Sequence, residues 1–296
     1  MISVKDLRKS YGILRAVDGV TLDIRAGETF GLLGPNGAGK TTTIHMMVGA
    51  LPPDAGSVCI DGAGDPADPA VRRRIGVAPQ ALGLYPDLTG EENVAFFARL
   101  YGLRGRELRG AVQSALEFTG LSDRRRDRVS TYSGGMQRRL NLAAAMVHHP
   151  RVLVCDEPTV GVDPQSRNHL FESIENLKQR GVTLLYTTHY MEEAQRLCDR
   201  VAIMDHGRVL ALGTVDELIE RHGGLSVIEG ELERPPPPGV PVPGRLDGTS
   251  LRLESGQPLE DLARLAGSGL KFRTLAIRRP DLETVFLALT GRTLRD

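Results

Sequence analysis

Through the first two thirds of the chain, short apolar or β-branched runs alternate with longer stretches whose apolar positions recur at helical spacing. Residues 20–24, 29–33, 152–155 and 182–187 read as strands. The runs VLVC and VTLLYT have no polar alternation, so both faces of those strands are expected to be covered, as in a parallel sheet. Residues 41–48, 93–101 and 136–147 carry helical periodicity. This alternation predicts a layered α/β domain ending near Gly213.

A helical pattern over 215–222 is followed by Gly223-Gly224 and a shift in composition, with four consecutive prolines at 235–238 inside a Pro-rich loop at 235–243. Beyond it, strand-like segments (225–231, 251–254, 271–277) mix with helical ones (258–266, 280–289). The pattern predicts two domains, 1–222 and a small α+β domain at 223–296. In the last helix Leu282, Val285, Phe286 and Leu289 fall on one stripe, which suits a regulatory or dimer-supporting domain and equally a helix packed on its own chain.

Charge narrows the possible partners. Thirty-seven basic residues balance 37 acidic ones, so no nucleic-acid partner is expected. Arg72 to Arg74 and Arg124 to Arg126 read as solvated faces. Cys59, Cys155 and Cys198 form no CxxC pair, which argues against disulfides and zinc and for a reducing cytoplasm. Residues 1–10 lack the apolar core of a leader, and no run reaches the ~18 apolar residues of a membrane span.

The candidate chemistry begins at Gly34-Pro35-Asn36-Gly37-Ala38-Gly39-Lys40-Thr41, which fits GxxxxGK[ST] between a predicted strand and a predicted helix. In that setting the loop N–H groups of Asn36 to Thr42 cradle phosphate, Lys40 reaches the β- and γ-phosphates, and the Thr41 hydroxyl meets Mg²⁺. The apolar strand ending in Asp156-Glu157 supplies a carboxylate for the metal and a second for an attacking water.

Between these two motifs stands Ser133-Gly134-Gly135-Met136-Gln137, opening a helix. In that order the three motifs resemble the ATP-binding cassette (ABC) family. The resemblance spans about residues 2–214 and implies a P-loop NTPase fold of the ABC ATPase type: a RecA-like core, an antiparallel β subdomain and a helical subdomain. It also implies ATP and Mg²⁺ as ligands and a head-to-tail homodimer in which Ser133, Gly134 and Gly135 contact the partner's nucleotide. By the same resemblance Tyr11 stacks on adenine, and Asn36, Gly37, Ala38, Gly39, Lys40, Thr41 and Thr42 hold the phosphates. Gln80 senses metal and water, Thr41, Gln80 and Asp156 serve Mg²⁺, Glu157 is the base, Asp163 crosses the dimer and His189 holds the γ-phosphate. Singly, Tyr11, Gln80 and His189 would read as a strand-edge residue, a loop amide and a helix-capping residue; their shared order favours the family roles.

The chain departs from the family pattern at Tyr132, where leucine is usual, and at Met136, where glutamine is common. The tail PDLETVFLALTGR is similar to that of bacterial drug-exporter (daunorubicin/doxorubicin-type) ATPases. This second resemblance implies a peripheral ATPase on the cytoplasmic face of the membrane. It would drive export, of a hydrophobic drug or antibiotic, through a separate permease that docks near residues 80–101, where Leu84 and Tyr85 are expected as exposed loop apolars. A non-transport ABC ATPase acting on DNA or ribosomes shares the motifs, but this chain has neither a coiled-coil insertion nor a second cassette. A nucleotide-regulated binding module is disfavoured by the presence of both Glu157 and His189.

Overall fold

Strand β1 (Ile2–Tyr11) and its hairpin partner β2 (Leu14–Ile24) lead into β3 (Thr29–Leu33), whose five residues are all buried. The chain passes from β3 into α1 (Lys40–Met47), then β4 (Ala55–Ile60), the short α2 (Pro69–Arg72) and β5 (Ile75–Ala78). Helices α3 (Gly90–Leu100), α4 (Gly105–Phe118) and α5 (Gly134–Met146) come next. The segment closes with β6 (Val152–Asp156), α6 (Pro164–Gln179), β7 (Thr183–Thr188), α7 (Met191–Leu197), β8 (Arg200–Asp205) and β9 (Arg208–Gly213). The computed structural model describes residues 1–236 and 242–291.

Two compact units emerge, Met1–Val215 and Asp216–Asp296. In the first, a six-stranded sheet runs in the order β5-β6-β7-β3-β8-β9, parallel except for β9. A separate antiparallel sheet, β2-β1-β4, shares one apolar core with β3 and α1 through Val4, Leu22, Leu32 and Ile44. Helices α3, α4 and α5 enclose a second core around Val94, Val112, Leu116 and Leu140. These are the core, antiparallel and helical parts expected of an ABC ATPase. Because β6, β7 and β3 are consecutive in the sheet, the segments leaving their carboxyl ends emerge side by side, which is where ligands bind in open parallel sheets.

The second unit takes in α8 (Val215–His222), so the division falls seven residues before the composition change at Gly223. At Gly223 an added Cβ would lie 2.6 Å from Ile219 O and 2.8 Å from the Pro280 ring, so the end of α8 is in close contact with the segment before the last helix. Strands β10 (Ser226–Leu232), β11 (Arg245–Asp247), β12 (Ser250–Ser255) and β13 (Phe272–Arg278) form an antiparallel sheet ordered β11-β12-β10-β13. Ile228 and Leu251 pack with Leu265 of α9 (Pro258–Gly267) in a small core. In α10 (Leu282–Thr290), Leu282, Val285 and Phe286 are fully buried. Of the Pro-rich loop, residues 237–241 lie outside the described residues.

Candidate active site

The loop between β3 and α1 is shaped by close backbone approach. Gly39 has φ 100°, and a Cβ there would sit 2.3 Å from Ala16 O, so only glycine fits. No side chain caps α1, and the N–H groups of its first turn are left to attract an anion. The loop lines a cleft of about 350 Å³ together with Tyr11, Gln80 and Glu157. Tyr11 and Asn36 are exposed on its rim, and Thr41 and Thr42 stand at the start of the helix. Leu14, Arg15, Ala16 and His206, which sequence reasoning did not single out, also line it.

Side chains from three other segments converge on the Glu157 carboxylate. Lys40 Nζ lies 3.2 Å from Oε1, while Gln80 Nε2 (3.4 Å) donates to Oε2 and His189 Nδ1 stands 3.3 Å from Oε2. Lys40 is buried and also donates to Gly34 O at 2.8 Å and Pro35 O at 3.1 Å, which offsets the desolvation of its charge. His189 Nδ1 is buried but not aligned for a hydrogen bond with any described group, an orphaned polar atom beside the carboxylate. Glu157 itself has φ 44°, a left-handed conformation uncommon outside glycine and typical of strained functional positions.

Thr187, which the sequence pattern did not single out, fixes both acidic residues. Its hydroxyl donates to Asp156 Oδ1 at 2.6 Å and accepts from Glu157 N at 2.9 Å. The next residue, Thr188, donates to Glu193 Oε2 at 2.8 Å and accepts from Tyr190 N at 2.9 Å, anchoring the turn that carries His189. Tyr186 also donates to Glu193, and burial beside that carboxylate pushes its phenol well up. Cys155 lies in the core of β6, where burial pushes the thiol up to about 12, as suits an inert strand residue.

Ser133 and Gly134 are exposed at the start of α5, and Ser133 Oγ accepts from Met136 N at 3.2 Å. Gly135 is buried against the start of α6: a Cβ there would lie 2.1 Å from Ser166 Oγ. Asp163 caps α6 by accepting from Ser166 N at 2.9 Å, and that bond holds its carboxyl below the usual range. These four residues do not join the Lys40 cleft of their own chain. The departures from the family pattern are absorbed by the helical core: Tyr132 is buried and donates to Arg124 O at 2.7 Å, and Met136 packs against the same core.

One expectation is corrected at the helical face. Leu84 is half-buried and packs into the helical core, because its loop folds back over α3. Tyr85 is exposed and meets Phe96 edge-on at 4.9 Å. Asn93, fully buried, fastens this loop by accepting from Tyr85 N at 2.8 Å and donating to Tyr85 O and Thr89 O at 3.0 Å each.

Residues 17–160 match the family model described as ABC transporter. The whole chain aligns at 38% identity with all of the linearmycin resistance ATP-binding protein LnrL of Bacillus subtilis, and at 44% with 98% of the Nod factor export ATP-binding protein I of Burkholderia thailandensis. The chain is an ABC transporter ATP-binding subunit. Among solved structures, an ATP-binding subunit of an ABC transporter superposes with TM-score 0.68 at 32% identity, over 75% of this chain and 93% of that one. A dimeric ATP-binding cassette in a post-hydrolysis state with ADP and Pi gives 0.66 at 26% identity, over 72% and 98%. The ABC subunit is therefore an ATPase that binds ATP, and these relatives are transport proteins rather than ATPases named for DNA or ribosomes. No helix among its described residues is long and apolar enough to cross a membrane.

Proposed function

We propose that this ATPase powers export through a separate membrane permease, as a head-to-tail homodimer at the cytoplasmic face of the membrane. The observation that carries its chemistry is the convergence of Lys40, Gln80 and His189 on the buried Glu157 carboxylate. Glu157 accepts the proton of the attacking water, Gln80 and His189 orient it, and Lys40 stabilises the charge on the transferred phosphoryl group. Phosphate oxygens compete with Glu157 for the Lys40 ammonium, so the carboxylate is released to act on water when substrate is seated. Tyr11 stacks on the base, and the N–H groups of residues 36–42 receive the phosphates. Thr41, Gln80 and Asp156 offer hydroxyl, carboxamide and carboxylate oxygens, a donor set suited to the hard cation Mg²⁺, which when bound neutralises charge on the β- and γ-phosphates.

The exposed Ser133 and Gly134, with Gly135 and Asp163, face the nucleotide of a partner protomer. This assignment is supported by their position outside their own Lys40 cleft and by the dimeric cassette to which the fold is similar. The permease docks on the face bearing Tyr85 and Phe96, and the unit from Asp216 onward supports dimerisation or regulates it. Relatives named for linearmycin resistance and Nod factor export support export, and the drug-exporter-like tail supports a hydrophobic drug or antibiotic as cargo.

Replacing Glu157 with glutamine tests the chemistry. Glu157→Gln should keep nucleotide affinity, lose at least ~100-fold in kcat and accumulate an ATP-bound dimer on size exclusion. Unchanged turnover would remove Glu157 as the base. Wild-type protein should co-purify with an integral membrane protein; recovery with ribosomes or DNA instead would refute the transport reading.

A further inference from the structure

Arg138 lies on α5, one turn beyond the Ser133-Gly134-Gly135 loop, and its guanidinium is partly buried with both bonded acceptors neutral. Nη1 donates to the backbone carbonyl of Gln80, and Nη2 to that of Val160 at 3.1 Å. No carboxylate among the described residues forms an ion pair with it, and burial lowers its proton affinity. One turn further along the same face, Asn141 Nδ2 donates to Pro79 O at 3.0 Å. Helix α5 thus holds consecutive carbonyls, of residues 79 and 80, from one side.

The two carbonyls that Arg138 bridges belong to the two segments flanking Glu157. Gln80 donates through its side chain to Glu157 Oε2. Val160 lies in the turn that leaves Glu157, closed by Val160 N to Glu157 O at 3.3 Å and Val162 N to Thr159 O at 3.1 Å, and that turn ends at Asp163. A planar fork with two diverging N–H groups can fix the spacing of two carbonyls; a lysine ammonium on a flexible stem cannot do so with the same geometry.

We propose that Arg138 is a positioning residue for hydrolysis: its fork ties the helix behind the Ser133 loop to Gln80 and to the turn after Glu157, so that the setting of that helix determines the alignment of the water-handling groups. The proposal rests on Glu157 acting as the base. Arg138 does not line the Lys40 cleft; it acts through Gln80 and the 157–163 turn.

The test uses the full chain with Arg138→Met and Arg138→Lys, each alone and in a Gln80→Ala background. Steady-state ATPase, equilibrium binding of a fluorescent ATP analogue and thermal melting are measured together. Arg138→Met is expected to lower kcat by roughly 10- to 100-fold, the scale of a displacement of about 1 Å in a catalytic group, with analogue affinity changed less than about threefold. Arg138→Lys should not restore turnover, and in the Gln80→Ala background the loss should shrink to about threefold or less, because residues acting in series are not additive. Turnover within twofold of wild type in Arg138→Met, recovery by lysine, an equal loss in affinity and kcat, or full additivity with Gln80→Ala would each overturn it. If Arg138→Met unfolds, the lysine variant and its cycle decide the matter by the same criteria. Glu157→Gln run in parallel separates the two ideas: a normal Glu157→Gln rate defeats the assignment of the base, whereas an inactive Glu157→Gln beside a normal Arg138→Met defeats only the role of Arg138.

Discussion

Replacing Asn93 with alanine should loosen the Tyr85 loop by an amount that can be worked out from its bonds. The fully buried carboxamide makes three hydrogen bonds, one accepted from Tyr85 N and two donated, to Tyr85 O and Thr89 O. Truncation strands the Tyr85 N–H, whereas Tyr85 O keeps the bond it accepts from Leu88 N at 3.2 Å, and a stranded buried polar group costs about 1 to 3 kcal/mol. Thr89 O keeps its helical bond from Asn93 N at 3.0 Å. Tyr85 is 45% exposed, so water can reach the opened loop and the lower part of that range applies, about 1 to 2 kcal/mol for the one stranded group. At roughly 2 to 4 °C per kcal/mol for a unit of this size, melting should fall by about 2 to 8 °C. Hydrogen exchange read by mass spectrometry should show the protection of the 81–89 peptide collapsing while peptides from β6 and β7 keep theirs. A melting shift below about 1 °C with unchanged exchange would show that the carboxamide does not hold the loop.

Two further outcomes come from the geometry. His148 stacks flat on Tyr101 at 3.4 Å, and burial lowers its pKa from 6.5 to about 4. The folded state therefore binds fewer protons than the unfolded one in that window, and stability is lost as pH falls from about 6.5 towards 4. His148→Phe, which keeps the stack, should flatten this part of the pH dependence in urea melts, and an unchanged slope would refute it. For the dimer, mixing inactive Lys40→Ala and Gly135→Asp protomers should restore ATPase activity, since one of the two shared sites in a mixed dimer is free of both defects; a mixture as inactive as its components would refute the shared site.

The motifs that meet at the Lys40 cleft were legible because they are compressed into short stretches that announce their own setting. A glycine loop between an apolar strand and a helix, and an apolar strand ending in two acids, need no knowledge of tertiary structure. Arg138, Asn141 and Thr187 were not legible, because what they do depends on carbonyls and carboxylates 58, 62 and 31 residues away. Strand β2 begins at Leu14, six residues before the apolar run at 20–24, because its first residues pair with β1 while remaining exposed. Helix α4, amphipathic with Ala111, Val112, Ala115 and Leu116 buried on one face, was legible from its periodicity but carried no candidate chemistry and was not singled out. Helix α6 carried a clear start signal in Asp163-Pro164, an N-cap followed by proline, which the family resemblance assigned to the dimer instead. Leu84 was misplaced for a related reason: a loop apolar can be exposed or folded inward, and Asn93 decides which.

The strand order β7-β3-β8 also sets a schedule for biosynthesis. β3 is made early, yet both neighbours that cover its edges come from residues 183–205. Lys40 likewise leaves the ribosome about 150 residues ahead of His189, an interval of about 7 to 30 s at ~5–20 residues/s. For that time a strand destined for full burial has open edges, and until Glu157 emerges the lysine loop lacks the carboxylate that will hold it. The nascent chain therefore depends on slow-folding surroundings or chaperone cover until β8 emerges, and truncated products ending before residue 200 should be cleared as misfolded rather than persist as partial ATPases.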